Sequence, residues 1–106
     1  MNASLAMLEK ALGIGYLELE ALEDGNVERA TELSILREEA LSRAWQQHGP
    51  GISYEYSKKL MELQELQVQL TVKGKELKRQ IAMALSNSYK EGRRLAGYRK
   101  VVGYAL

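Results

Sequence analysis

The chain of 106 residues has no cysteine, no phenylalanine, one proline and one histidine. Without cysteine it can form no disulfide, thiolate metal site or thiol nucleophile. The single histidine, His48, lies in a Gly-Pro turn with no carboxylate beside it, so it provides neither a metal site nor a catalytic pair. A glycine-rich phosphate loop and a serine nucleophile motif are also missing. These absences predict a binding protein that is not an enzyme and that uses no cofactor or metal.

Long apolar runs are also missing. No stretch of 18 apolar residues occurs, so the sequence predicts no membrane insertion. The first ten residues lack the positive start and apolar run of a secretory signal. With no cysteine to suggest an oxidising compartment, the predicted location is cytoplasmic.

Alanine, leucine, glutamate, lysine and arginine dominate the composition, which favours an all-α fold in a single helical domain spanning 1–106. Asp24-Gly25-Asn26 and His48-Gly49-Pro50-Gly51 are the two breaks in the helical pattern. The predicted architecture is an antiparallel three-helix hairpin bundle with one long C-terminal helix. The predicted helices span about 4–23, 27–47 and 54–98, and a short fourth helix at the C-terminus is the alternative for the last residues.

Each predicted helix carries an apolar stripe at steps of three and four residues, which places it on one face. The first two stripes comprise Leu5, Leu8, Leu12, Gly15, Leu19 and Leu22, then Val27, Ala30, Leu33, Leu36, Ala40, Leu41 and Ala44. The third comprises Tyr56, Leu60, Leu63, Gln67, Leu70, Gly74, Leu77, Ile81, Ala84 and Ser88, widened by Leu66 and Leu85.

Four side chains near these stripes carry separate predictions. Arg37 lies at the edge of the second stripe, so its stem should pack while its head pairs with a carboxylate of the first helix. Trp45, Tyr54 and Tyr56 bracket the second turn. We expect these aromatic side chains to plug the end of the bundle, and a contact patch for a partner is the alternative.

The third predicted helix is about twice as long as either of the others, roughly 65 Å against about 30 Å. Two short helices can therefore cover only about half of it. The rest would expose an apolar groove, open to an amphipathic helix of a partner or to a second copy of the chain. The predicted partner-binding residues are Leu77, Ile81, Ala84, Leu85, Tyr89, Arg93, Arg94, Tyr98 and Arg99.

The net charge of +1 hides an uneven distribution. Residues 1–40 contain nine acidic and three basic side chains, whereas residues 41–106 contain five acidic and twelve basic ones. Either the two halves attract each other on folding, or the basic end faces an acidic partner. The arginines and tyrosines near the C-terminus could bind protein or nucleic acid. The small net charge argues against a dedicated nucleic-acid binder.

Three short motifs resemble those of flagellar type III export chaperones. Leu22-Glu23-Asp24-Gly25-Asn26 is similar to a turn in these proteins, and Leu36-Arg37-Glu38-Glu39-Ala40-Leu41 to their arginine-glutamate-glutamate-leucine stretch. Gly92-Arg93-Arg94-Leu95-Ala96-Gly97-Tyr98-Arg99 is similar to their closing segment, with Leu95 where alanine is frequent. The order and spacing of all three agree. The nearest type is the FliT-like chaperone of the filament cap protein, followed by the FlgN-like chaperone of the hook–filament junction proteins.

The resemblance implies a small cytoplasmic helical protein that holds the C-terminal amphipathic segment of a filament cap or hook-associated protein. It would prevent premature assembly of this client and deliver it to a component of the export apparatus. In the family, a C-terminal segment can also fold back and regulate binding. Two alternatives remain from the residues themselves: a coiled-coil adaptor or homodimer without a client, and a nucleic-acid binder that uses the basic tail.

Overall fold

The structure is a computed structural model that describes residues 3–49 and 51–90. These residues form three α-helices and no strand: α1 (Ala3–Glu23), α2 (Val27–Gln46) and α3 (Tyr54–Lys90). The predicted all-α class is therefore confirmed. The predicted end of the third helix near residue 98 and the alternative fourth helix lie outside the described residues.

Two glycine-containing turns separate the helices. Gly25 has φ +72°, a left-handed conformation that glycine adopts without strain, and it follows the end of α1. Asn26 caps α2 because its side chain accepts a hydrogen bond from the Arg29 amide at 3.2 Å. Ser53 does the same for α3 by accepting from the Tyr56 amide at 3.1 Å. Local sequence signals thus set both helix starts.

Helix α1 is the shared neighbour of the other two. Its start lies against the end of α2, where Ser4 bonds to Ala44, so these two helices run antiparallel. The start of α1 also lies against the start of α3, where Ser4 bonds to Tyr56, so α1 and α3 run in the same direction. Within the described residues, no Cα atom of α2 comes within 8 Å of one in α3. The backbones of α2 and α3 are therefore both packed on α1 and lie farther from each other.

The buried core follows most of the predicted stripe positions. Leu36 is an exception, since it is 47% exposed and the prediction that it faces inward is wrong. Gln67 is likewise exposed. Arg37, one position after Leu36, is buried in its place. The buried apolar cluster contains Leu5, Leu8, Ala11, Leu12, Ala21, Leu22, Ala30, Leu33, Ala40, Leu41, Ala44, Tyr56, Leu63, Leu66 and Leu70.

A buried ion pair joins α1 and α2. Nε of Arg37 donates to Oε1 of Glu18 at 2.8 Å, and the two side chains are only 10% and 3% exposed. The predicted pairing of Arg37 with a carboxylate of the first helix is confirmed. Both charges have left water, and the bond between them compensates for much of the lost hydration. Nη1 of Arg37 also lies 3.6 Å from Oε1 of the exposed Glu38. The pair therefore fixes the alignment of α1 along α2.

Gly15 allows α1 to approach α3 closely. A Cβ atom at this position would lie 2.5 Å from Cδ2 of Leu66 and 3.4 Å from Cδ of Arg37. Leu66 is fully buried, so its side chain has little room to move away. A Cβ at Gly13, two residues earlier, would meet nothing within 4 Å. The two glycines of α1 thus have different roles.

We predict that Gly13→Ala and Gly15→Ala differ in their effect on the free energy of unfolding. Each removes the cost of glycine in a helix, about 1 kcal/mol. At Gly15 this gain is offset by overpacking, which costs about 1–3 kcal/mol. Urea denaturation should show the Gly13 variant to be more stable than wild type, and the Gly15 variant to be the less stable of the two. Equal stabilisation by both would contradict the close approach at Leu66.

We predict that Glu18→Ala lowers the free energy of unfolding by an amount at the lower end of about 3–5 kcal/mol. The change leaves Arg37 buried with only the exposed Glu38 carboxylate, 3.6 Å from Nη1, beside it. Replacing both partners, as Glu18→Leu with Arg37→Met, should cost much less, because no unpaired charge remains in the core. Glu20→Ala, an exposed change on the same helix, is the control. Urea denaturation of the four chains measures the difference. A double variant as unstable as Glu18→Ala alone would show that the charge is not the reason.

Candidate partner-binding surface

Helix α3 continues past the ends of the helices beside it. The last residues of α1, Leu22 and Glu23, lie across a small cleft of about 70 Å³ from Leu77 and Gln80 of α3. Helix α2 begins at this same end of the molecule, with Val27. Ten described residues of α3, about 15 Å of helix, follow Gln80. The prediction that half of the long helix extends beyond the other two is too large for the described part, where the extension begins near Ile81.

The predicted apolar residues lie together on one face of this end of α3. Leu77 packs against the buried core, and the steps to Ile81, Ala84 and Leu85 keep these residues on the same side of the helix. All four are half-buried. We call Ile81, Ala84 and Leu85 the distal apolar face. It extends the line of Leu63, Leu66 and Leu70 beyond the end of α1.

The remaining predicted site residues are not brought together by the described structure. Tyr89 belongs to the last turn of α3, whose side chains are not described. The residues that lie outside the described range are Arg93, Arg94, Tyr98 and Arg99. The role of all five in partner binding stays a prediction.

Basic side chains precede the distal apolar face along α3, and Lys78 lies on the side of the helix next to it. Lys75 and Arg79 are exposed, and Lys78 is half-buried. Lys73 has Nζ 3.6 Å from Oε2 of Glu76, an ion pair in which both side chains are about two-fifths exposed. Pairs of this kind contribute little to stability. The segment thus keeps a positive field that favours a partner with acidic side chains.

A groove between α2 and α3 was not foreseen from the sequence. It has a volume of about 700 Å³ and is open to solvent between two helices whose Cα atoms stay more than 8 Å apart. Leu41, Trp45, Leu60 and Met61 provide most of its apolar wall. One sequence feature indicates this groove: Trp45 comes one residue after Ala44, the last residue of the inward stripe, and therefore lies at the edge of α2. The width of the groove between α2 and α3, however, depends on tertiary packing.

The aromatic side chains around the second turn divide between two environments. Trp45 is 53% exposed and Tyr54 is 81% exposed, so the prediction that they plug the end of the bundle is wrong. Tyr56 is buried as expected. Ser4 donates to the Ala44 carbonyl at 2.6 Å, and the Tyr56 hydroxyl lies 3.0 Å from Ser4 Oγ. Since Ser4 has one hydrogen to give, the Tyr56 hydroxyl is the donor in the second bond.

His48 packs as part of this turn. Its ring lies on that of Tyr56, with 4.6 Å between centroids and 30° between planes. Nδ1 is buried and has no hydrogen-bond partner within the described structure. No carboxylate is placed to pair with the ring in the contacts of residues 3–49 and 51–90. The arrangement fits a packing residue.

A second groove runs between α1 and α2, on a side where apolar and basic residues mix. It has a volume of about 450 Å³ and contains Leu36, which explains the exposure of that residue. Leu17 is also half-exposed there. Lys10, Arg29 and Arg43 line its edges.

The bond between Tyr16 and Glu62 connects α1 to α3 at the surface. The Tyr16 hydroxyl donates to Oε2 of Glu62 at 2.7 Å. This hydrogen bond, followed by burial and by the charges of Glu62 and Glu65, raises the pKa of Tyr16 above its ordinary value. The Tyr16 hydroxyl therefore stays protonated and can donate this bond at neutral pH, and its deprotonation in alkali removes the bond.

Comparison of the chain with protein-family models, with curated proteins and with solved structures gives no match. Among the described helices, none is long and apolar enough to cross a membrane. Within the same residues, no group of three histidine, aspartate or glutamate side chains could hold a metal ion.

We predict that amide hydrogen exchange becomes faster along α3 beyond Gln80. Amides between Tyr56 and Leu77 are held by packing against α1, so they should exchange only on extensive unfolding. Amides from Ile81 to Asn87 have no such neighbour in α1 and should exchange faster. Mass spectrometry of overlapping peptides can compare the two segments. Equal protection of both would mean that another element covers the distal apolar face.

Proposed function

We propose that this chain is a cytoplasmic flagellar export chaperone, FliT-like or, next nearest, FlgN-like. It would form an antiparallel helical bundle in one domain and bind the C-terminal amphipathic segment of a filament cap or hook-associated protein. The bound client would be kept from premature assembly and delivered to a component of the export apparatus. The observation that carries the proposal is the uninterrupted course of α3 through Gly74 and past the end of α1.

The continuity of α3 matters because it carries an apolar face past the last residues of α1, which lie across from Leu77 and Gln80. Helix α1 packs against α3 as far as Leu77. An amphipathic helix of a client could pack against α3 beyond that point. Ile81 and Leu85, one turn apart, offer two anchors at helical spacing. The client helix would pack against the distal apolar face in place of solvent, and α3 would not need to change its conformation.

The charge distribution supports a client with acidic side chains. Lys78 lies beside the distal apolar face on α3, and the predicted binding residues Arg93, Arg94 and Arg99 follow in the sequence. A positive segment raises the association rate of an acidic helix, and this increase is smaller at high salt. The three sequence motifs provide the identity of the client class, by resemblance.

We predict that the wild-type chain copurifies with a filament cap or hook–filament junction protein from the same genome. Ile81→Asp and Leu85→Asp should each weaken this binding at least about tenfold, because a buried anchor is replaced by a charge. Asn87→Asp, which adds the same charge to an exposed position on another side of α3, is the matched control. Titration calorimetry measures the affinities, and circular dichroism checks helix content. If the wild type binds none of these proteins at micromolar concentration, the assignment is wrong.

Truncation after Ser88 locates the contribution of the basic segment. A client that contacts Arg93 and Arg94 should bind the truncated chain more weakly and with less dependence on salt. A client held only by the distal apolar face should bind both chains equally.

A further inference from the structure

Helix α3 carries a second apolar stripe on the side that faces away from the core. We name it the outer stripe, and it comprises Tyr54, Met61, Val68, Val72 and Met83. At 100° per residue these five positions fall within about 60° of one another, and about 180° from Leu63 and Ile81. Each is between 57% and 81% exposed. Single exposed apolar residues are ordinary, but an aligned series opposite the core calls for a neighbour.

Charged side chains lie on both sides of the apolar centre of the outer stripe, Val68 and Val72. Glu65 comes three residues before Val68, and Lys75 comes three residues after Val72. Both side chains are exposed. Farther out on the same side of α3 lie Lys58, whose Nζ is 5.7 Å from the Tyr54 ring, and then Glu76 and Arg79 at the other end. The charges next to the valines are therefore acidic before them and basic after them.

We propose that the outer stripe binds the outer stripe of a second copy of this chain, in an antiparallel homodimer. With the two-fold axis near residue 70, Val68 of one copy meets Val72 of the other. Glu65 and Lys75 are each five residues from this axis, so they also meet. The two-fold symmetry forms every such contact twice.

The same charges determine the orientation of the pair. A parallel arrangement would put Glu65 beside Glu65 and Lys75 beside Lys75, which is repulsive. The antiparallel arrangement pairs opposite charges on both sides of the valines. The aliphatic stem of Arg79 then lies against Met61 of the other copy, while its head reaches solvent.

The interface is small. One helix against one helix over the length of the outer stripe places it among weak interfaces, which bury less than about 1,200 Å². We expect a dimer that dissociates in the micromolar range. Because the outer stripe and the distal apolar face lie on opposite sides of α3, a dimer would keep both distal faces open. This inference does not rest on the proposed function.

Sedimentation equilibrium of the full chain tests the proposal, over about 1 µM to about 1 mM, which brackets weak interfaces of this size. The wild type should approach twice the monomer mass at the upper end. Val72→Asp should weaken the dimer at least about tenfold. Ile35→Asp, at an equally exposed position on α2, should leave it unchanged. A wild type that stays monomeric throughout overturns the proposal.

Charge reversal provides a second test, in which two variants that fail to dimerise alone should dimerise when mixed. Misfolded variants would not regain self-association on mixing. Glu65→Lys alone and Lys75→Glu with Arg79→Glu should each weaken self-association, because like charges then meet. An equimolar mixture of the two variants should regain a dimer, since the lysine that replaces Glu65 in one chain then faces the acidic substitutions of the other. If these charge reversals leave the dissociation constant of the dimer unchanged, the outer stripe is not the interface. The same follows if substitution of Leu85 weakens the dimer and substitution of Val72 does not.

Discussion

The close approach of α1 to both other helices is the constraint from which the arrangement follows. Gly15 leaves space for Leu66 of α3, and Glu18, less than one turn later, forms its buried ion pair with Arg37 of α2. These two contacts fix how far α2 and α3 are shifted along α1. Because the shift is fixed, the end of α1 meets α3 at Leu77. The uncovered part of α3 is therefore a consequence of packing near the middle of α1.

The elements that depend on local sequence could be predicted well. Gly25 and Asn26 specify a turn and a cap by their own backbone and side-chain chemistry, and the observed bounds of α1 and α2 differ by only one residue from those predicted. The pairing of Arg37 with a carboxylate of the first helix was also predictable, because a buried guanidinium needs an acidic partner. The identity of the partner, Glu18 among the several glutamates of α1, depends on the alignment of α1 and α2 and was not predictable.

Features set by the angles and distances between helices could not be predicted. Leu36 and Arg37 are adjacent at the edge of one stripe, and only the direction of α1 decides which of them is buried. The sequence predicts Trp45 at the end of the bundle because it brackets the second turn together with Tyr54 and Tyr56. It lies instead beside a groove between α2 and α3, whose Cα atoms stay more than 8 Å apart. For the candidate site, the apolar side of α3 was predictable from spacing, but the point at which its cover ends was not.

The bonds of Ser4 have a consequence for synthesis on the ribosome. The contact between Ser4 and Ala44 spans 40 residues, and the one between Ser4 and Tyr56 spans 52. The hairpin of α1 and α2 can thus close while α3 is still being made, since chains fold from the N-terminus as they emerge. Until Leu66 has left the exit tunnel, the side of α1 that it covers stays exposed to solvent. The nascent hairpin, and not the finished protein, is the stage at which we expect aggregation to compete with folding.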